Sequence, residues 1–116
     1  MSNEVFSKHV TKYGAFLYAG PDGNNGASGT IWLRFDGSPI FVWLRFYPPG
    51  YSLPPNYEGE SSGGDPIYYV SYRSGDYSKI IDLLRNESPI HFYWNEETDI
   101  AYLRSGAEDV GEGEDD

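Results

Sequence analysis

Two five-residue segments have nearly the same sequence and the same alternation of side chains. They are residues 31–35, IWLRF, and residues 42–46, VWLRF. Alternation with a period of two predicts a β-strand for each segment. The Asp-Gly-Ser-Pro sequence between them, at 36–39, has the composition of a hairpin turn. Each predicted strand therefore carries aliphatic residues and Phe on one face and Trp and Arg on the other.

The length of this turn decides which residues of the two strands lie opposite each other. A four-residue turn at 36–39 places Trp32 opposite Trp43, whereas a two-residue turn places Trp32 opposite Phe41. We favour the longer turn, because Pro39 is better tolerated in a turn than in a paired strand. In both registers the Trp and Arg residues of the two segments share one face.

The pattern along the rest of the chain predicts four more strands and one helix. Apolar residues at 77, 80, 81 and 84 have helical spacing, which predicts an amphipathic helix over 76–86 with Asp76 as its N-cap. Residues 48–66 contain five prolines and show no periodicity, so we expect a long loop there. The four further strands are predicted at 13–19, 67–73, 90–94 and 99–104.

This order of elements predicts an α+β fold that is mostly β. We expect an antiparallel sheet or partly closed barrel of about six strands. The short amphipathic helix then lies between the fourth and fifth strands.

The acidic residues divide the chain into a body and a tail. The chain of 116 residues has a net charge of −10 from 18 acidic and 8 basic residues. Six of the acids lie in 108–116, where there is no basic residue, so we expect 107–116 to be disordered. The length of the chain suits one globular domain, predicted at 1–106 and including the loop at 48–66.

Composition also excludes several classes of protein. The absence of cysteine excludes a disulfide scaffold and a thiolate metal site. The first residues contain no apolar run of the kind found in signal peptides, and no stretch is long enough to span a bilayer. We therefore expect a cytoplasmic protein without a membrane partner.

No set of residues predicts a catalytic, metal or cofactor site. The only histidines, His9 and His91, have no evident nucleophile as partner. Residues 22–26 resemble the start of a calcium loop, but the fifth position is Gly and Leu33 replaces the closing Glu. We therefore expect neither enzymatic activity nor a bound cofactor.

The face that carries Trp and Arg is the best candidate for a functional surface. This face belongs to the hydrophobic core if the helix or the 48–66 loop covers it. If it is exposed, it has the residue types of protein-binding hot spots.

Two Pro-Pro-x-Tyr segments in 48–57 match the pattern bound by WW domains, although their tyrosines could instead pack on the sheet. The candidate binding residues are Trp32, Arg34, Phe41, Trp43, Arg45, Tyr47, Tyr51 and Tyr57.

The sequence therefore predicts a small acidic protein-binding module. A basic protein is the expected partner, and an inhibitor or immunity-type protein that neutralises a nucleic-acid-handling enzyme is one concrete form. The same face could instead pair two copies into a homodimer. The alternative is a small anionic aromatic ligand such as a nucleotide, held by Trp stacking and an Arg. The negative net charge argues against a nucleic-acid polymer as ligand.

Overall fold

A curled mixed β-sheet forms most of this protein. The computed structural model describes residues 5–20, 23, 25–87 and 89–105. Within these residues, seven strands form a half-barrel and one α-helix, α1 (Tyr77–Asn86), follows a 3₁₀ turn. The strands are β1 (Val5–Leu17), β2 (Gly29–Phe35), β3 (Phe41–Tyr47), β4 (Tyr57–Glu60), β5 (Pro66–Arg73), β6 (Ile90–Asn95) and β7 (Ile100–Ser105).

The spatial order of the strands is β4-β5-β3-β2-β1-β6-β7. Neighbouring strands are antiparallel except β3 and β5, which are parallel. The chain leaves β3, returns through 48–65 and enters β5 in the same direction. The mostly-β prediction is confirmed, but the prediction of a purely antiparallel sheet is wrong at this one pair.

The seventh strand, β4, lies inside the predicted loop at 48–66. Its sequence, Tyr-Glu-Gly-Glu, has no apolar alternation, and it forms because its backbone pairs with the edge of β5. The helix covers nearly the predicted residues, but it lies between the fifth and sixth strands because β4 precedes it. Asp76 occupies the predicted cap position without a side-chain capping hydrogen bond.

The first strand is longer than the predicted 13–19. β1 begins at Val5 and pairs with β2 through its second half and with β6 through its first half. A register shift between Val10 and Lys12 separates the two halves. The polar residues at 7–9 interrupt the alternation of apolar residues that would predict a strand. This part of β1 forms because its backbone pairs with β6.

Both predicted hairpins are present. Trp32 pairs with Trp43 across β2 and β3, as the four-residue turn requires. The second hairpin joins β6 to β7 through residues 96–99, where Asp99 has a φ of 56°. Asp tolerates this left-handed conformation better than most residues.

The core fills the inner, concave face of the sheet. Helix α1 packs on this inner face through Ile80, Ile81 and Leu84, and the Tyr77 ring lies 5.0 Å from the Phe46 ring. We call the opposite, convex face the outer face. The largest fully buried side chains are Phe46, Phe92, Ile31, Leu33, Leu44 and Val42.

In the part of the chain that the structure describes, no helix is long and apolar enough to cross a membrane. The acidic tail predicted at 107–116 lies outside the described residues.

Candidate functional site

The two repeated segments meet at the centre of the outer face. Each of β2 and β3 points its aliphatic residues inward and its Trp and Arg outward, so the outward residues stay half-buried and do not join the core. We call this group the Trp–Arg cluster. Its members are Trp32, Arg34, Phe41, Trp43 and Arg45.

Each arginine of the cluster lies over an aromatic ring of a neighbouring strand. The Arg34 guanidinium lies 4.3 Å from the centre of the Phe41 ring, and the Arg45 guanidinium lies 4.3 Å from the centre of the Tyr69 ring. An ion pair joins Lys79 to Asp76 on the helix side. The two guanidinium groups of the cluster lie over ring faces.

Trp32 occupies its position because the neighbouring strand offers it a glycine. Gly14 of β1 pairs with Trp32 of β2, and a Cβ at Gly14 would overlap the Trp32 indole. The indole ring therefore lies directly over the β1 backbone. Trp32 also meets Phe41 edge-on, with ring centres 6.1 Å apart.

A shallow depression lies beside the cluster, and we call it the Arg45 depression. It is lined by Tyr18, Thr30, Trp43, Arg45 and Tyr69 and has a volume of about 260 Å³. Thr30 forms its floor and is only 3% exposed. The Tyr18 and Thr30 hydroxyl groups form a hydrogen bond of 2.9 Å.

The outer face carries no acidic residue at the outward positions of the seven described strands. Glu58 and Glu60 of β4 alternate with outward-facing Tyr57 and Gly59, so they point to the other side. The remaining described acids lie in turns, at strand ends or in the helix region. The local charge of the outer face is therefore opposite in sign to the net charge of the chain.

The predicted binding residues outside the Trp–Arg cluster pack on the sheet in different ways. Tyr47 is 2% exposed, because the Tyr51 ring stacks on it at 5.4 Å. Arg73 donates to the Pro48 and Tyr51 carbonyl oxygens and so fixes this part of the loop. Tyr57 stacks on Tyr69 at 4.7 Å and extends the outer face towards its edge. Tyr51 and Tyr57, which end the two Pro-Pro-x-Tyr segments, thus both pack on the sheet.

Sequence reasoning did not identify four residues of this surface: Tyr69, Tyr18, Thr30 and Gly14. Tyr69 stands at an outward position of a correctly predicted strand, but only the parallel pairing of β3 and β5 brings it beside Trp43. Tyr18 and Thr30 approach because β1 pairs with β2, which no local pattern in the sequence indicates.

A pair of histidines lies on the outer face away from the cluster. His9 of β1 pairs with His91 of β6, with ring centres 4.0 Å apart, and Arg104 of β7 pairs with His91 on its other side. Burial, followed by the charges of His9 and Arg104, lowers the pKa of His91 below its ordinary value. The His91 Nδ1 atom is buried without a hydrogen-bond partner.

The side chains of the outer face provide ring surfaces for stacking, guanidinium N–H donors and hydroxyl groups. This chemistry suits recognition of a partner or ligand. Comparison of the chain with protein-family models, with curated proteins and with solved structures finds no match. The functional interpretation therefore rests on the geometry of this surface.

Proposed function

We propose that this protein is a binding module that docks a basic protein partner through its outer face. One observation carries the proposal: the Trp–Arg cluster is half-exposed on the convex face, while the helix packs on the concave face. Trp, Tyr and Arg are the residue types that dominate binding hot spots. Packing of each Arg on a ring reduces the side-chain entropy that docking would otherwise cost.

The net charge of the chain, and not the local charge of the outer face, supports a basic partner. Protein interfaces have few charged side chains at their centre and a polar rim. Here Asp36, which follows β2, lines the space beside Arg34 at the border of the outer face. This acid and the net charge of −10 would speed encounter with a basic surface. An inhibitor or immunity-type protein is one form that this proposal takes.

Substitution of Trp43 tests the proposal against a matched core variant. A partner captured from source cells with the tagged protein is purified, and its Kd is measured by calorimetry. We expect Trp43→Ala to weaken binding by about thirtyfold or more, with a loss of only about 1–2 kcal/mol in the free energy of unfolding. Phe46→Ala removes a fully buried ring and should cost about 3–5 kcal/mol in a denaturant melt.

The controls separate docking from other effects. Lys79→Ala changes an exposed residue on the helix side and should leave the Kd unchanged. A rise in salt should weaken binding, since rim charges are screened. Unchanged partner binding by both Trp32→Ala and Trp43→Ala would refute the proposal. Light scattering that shows a dimer lost in these variants would assign the face to self-association.

A second candidate function is the binding of a small anionic aromatic ligand. The Arg45 depression favours it, because this concave site combines aromatic walls with one arginine and two hydroxyl groups. A thermal-shift screen of nucleotides and other anionic ring compounds tests it. No rise in Tm with any of them would count against this candidate.

A further inference from the structure

We propose that the Arg45 depression is a binding site for a single aromatic ring that carries a carboxylate. The inference rests on the proposed role of the outer face as a binding surface and adds the chemical class of the ligand. A free aromatic acid has this chemistry, and so does a C-terminal aromatic residue of a partner protein. The experiments below distinguish these two sources.

The depression follows from the sizes of neighbouring outward residues. On the outer face, Thr30 of β2 pairs with Arg45 of β3 on one side and with Phe16 of β1 on the other. Both neighbours have longer side chains than Thr30, so the short residue leaves a hollow between them. Tyr18 lies at the β1 side of this hollow and donates to or accepts from Thr30 Oγ1 at 2.9 Å.

The walls of the depression are fixed before a ligand arrives. The Tyr69 ring stacks on Tyr57 at 4.7 Å with an interplanar angle of 22°, and the Arg45 guanidinium lies 4.3 Å from the Tyr69 ring centre. Trp43 pairs with Tyr69 across the two parallel strands. Side chains that are already ordered lose little entropy on binding, so even a small contact area contributes to affinity.

The charge of the depression matches one carboxylate. Arg45 is the only charged residue among the five that line it. A guanidinium binds a carboxylate through two parallel N–H donors, and this paired geometry favours a planar monoanion. Because no acidic residue occupies an outward strand position of the described sheet, a bound anion meets no nearby carboxylate there.

The size and polarity of the depression select a single ring. Its volume of about 260 Å³ is slightly below the range of roughly 300–1,000 Å³ typical of sites for larger organic ligands. Trp43 and Tyr69 provide aromatic surface for the ring. The Tyr18 and Thr30 hydroxyl groups can bond a polar substituent on it.

The sequence repeat supplies an internal control. Arg34 lies on the Phe41 ring at the same distance, 4.3 Å, as Arg45 on Tyr69. The space beside Arg34 is different, however, because it is lined by Thr11, Lys12, Phe35, Asp36 and Gly37 and so includes a carboxylate but neither Trp nor Tyr. Arg34→Gln removes the same charge from the same face without altering the Arg45 depression.

The experiment titrates the full chain with 4-hydroxybenzoate and follows tryptophan fluorescence and amide chemical shifts. We expect saturable binding and a Kd at least about tenfold higher for the neutral 4-hydroxybenzamide. Arg45→Gln should raise the Kd by about tenfold or more, whereas Arg34→Gln should change it by less than about twofold. Circular dichroism confirms that both variants are folded, and Arg45→Lys should bind with intermediate affinity because it keeps the charge but not the paired donors.

A second arm identifies the source of the ligand. A peptide that ends in Phe with a free carboxylate is compared with the same peptide amidated at its C-terminus. Tighter binding of the acid peptide than of 4-hydroxybenzoate assigns the site to a protein terminus, and the reverse order assigns it to a free aromatic acid. AMP tests whether a phosphate on a larger ring system binds instead.

Two results would overturn the inference. One is the absence of saturable binding of the acid compounds up to about 10 mM. The other is an equal loss of affinity in the Arg34→Gln and Arg45→Gln variants. If the purified partner still depends on Trp43 in either case, only the ligand assignment fails and the proposed protein-binding function stands.

Discussion

An arginine whose guanidinium lies over an aromatic ring is held in place, and the N–H groups that stay accessible can still donate hydrogen bonds. The ring covers one face of the guanidinium, while the N–H groups at its edge stay available to a ligand. A carboxylate partner within the chain would have occupied these donors. Arg34 and Arg45 both lie over a ring, although the Arg34 Nε atom is itself buried without a hydrogen-bond partner. Lys79 differs, because its charge is paired with Asp76 on the helix side.

Gly14 controls the position of Trp32 and is the clearest single-residue test of the outer face. Gly14→Ala places a Cβ where the indole lies, so we expect the ring to move and the protein to lose about 1 kcal/mol of unfolding free energy. The change in Trp32 should shift the tryptophan emission maximum. Denaturant melts and emission spectra measure both effects.

Gly75 provides the matched glycine control. A Cβ there meets nothing within 4 Å, and its φ is not positive, so Gly75→Ala should change stability by no more than about 0.5 kcal/mol. An equal loss of stability in both variants would show that the effect at Gly14 does not depend on its neighbour on β2. The Trp32 contact would then play no part.

At the scale of elements, Asn56 joins two regions that are distant in sequence. Its side-chain oxygen accepts a hydrogen bond from the Ser71 backbone N–H at 2.9 Å, and its side-chain nitrogen donates to Asp99 at 3.0 Å. The first bond fixes the chain before β4 against β5. The second links this edge of the half-barrel to the turn between β6 and β7.

Removal of this side chain should destabilise the sheet edge. Asn56→Ala leaves the partly buried Ser71 N–H without its acceptor, so we expect a loss of about 1–2 kcal/mol in unfolding free energy and faster amide exchange at Ser71. The control is Asn86→Ala, which breaks an exposed bond to Asp82 within the helix and should cost less than about 0.5 kcal/mol. Unchanged exchange at Ser71 would contradict this role of Asn56.

The hairpins and the helix could be predicted because their signals are local. Alternation at 31–35 and 42–46 and the position of Pro39 were sufficient to predict the pairing of Trp32 with Trp43. Local pattern predicts a side chain's face but not its cover: Tyr47, also proposed for binding, is buried beneath Tyr51. The sequence left open whether the Trp–Arg cluster is covered or exposed, and in the structure its members are half-buried on the outer face.

The remainder of the fold depends on contacts between distant segments. β4 has no apolar pattern and exists only through its pairing with β5, and the parallel β3–β5 pair depends on the path of residues 48–65. The Arg45 depression requires β1, β2, β3 and β5 side by side, so Tyr18 and Tyr69 could not be assigned to it from sequence. Local periodicity specifies strands but not which strands become neighbours.

At the scale of the whole molecule, protonation of His91 links stability to pH. His91 faces His9 and Arg104, and its pKa lies below the ordinary value of 6.5. As pH falls through 6.5, the unfolded chain therefore binds a proton at this position before the folded chain does. The free energy of unfolding should decrease in this interval and level off below the pKa of the folded state.

Urea melts between pH 5 and pH 8 (roughly one to two pH units around the ordinary histidine pKa) test this link. We expect His91→Gln to flatten the pH dependence of the urea midpoint. Arg104→Gln should flatten it less, since burial is the largest cause of the lowered pKa. Lys8→Gln changes a nearby exposed residue that points to the other face and serves as the control. An identical slope for His91→Gln and the unsubstituted protein would contradict the prediction.

The position of β1 in the interior of the sheet has a consequence for how the chain folds. β1 pairs with β2, which follows closely in sequence, but its other edge pairs with β6, and Val5 lies opposite Asn95. During synthesis this second edge stays open until β6 has left the ribosome. An open strand edge exposes unpaired backbone N–H and C=O groups, which can pair with strands of other chains. Chains truncated before β6 should therefore aggregate, and full-length chains should fold slowly for their size because this closing step brings distant segments together.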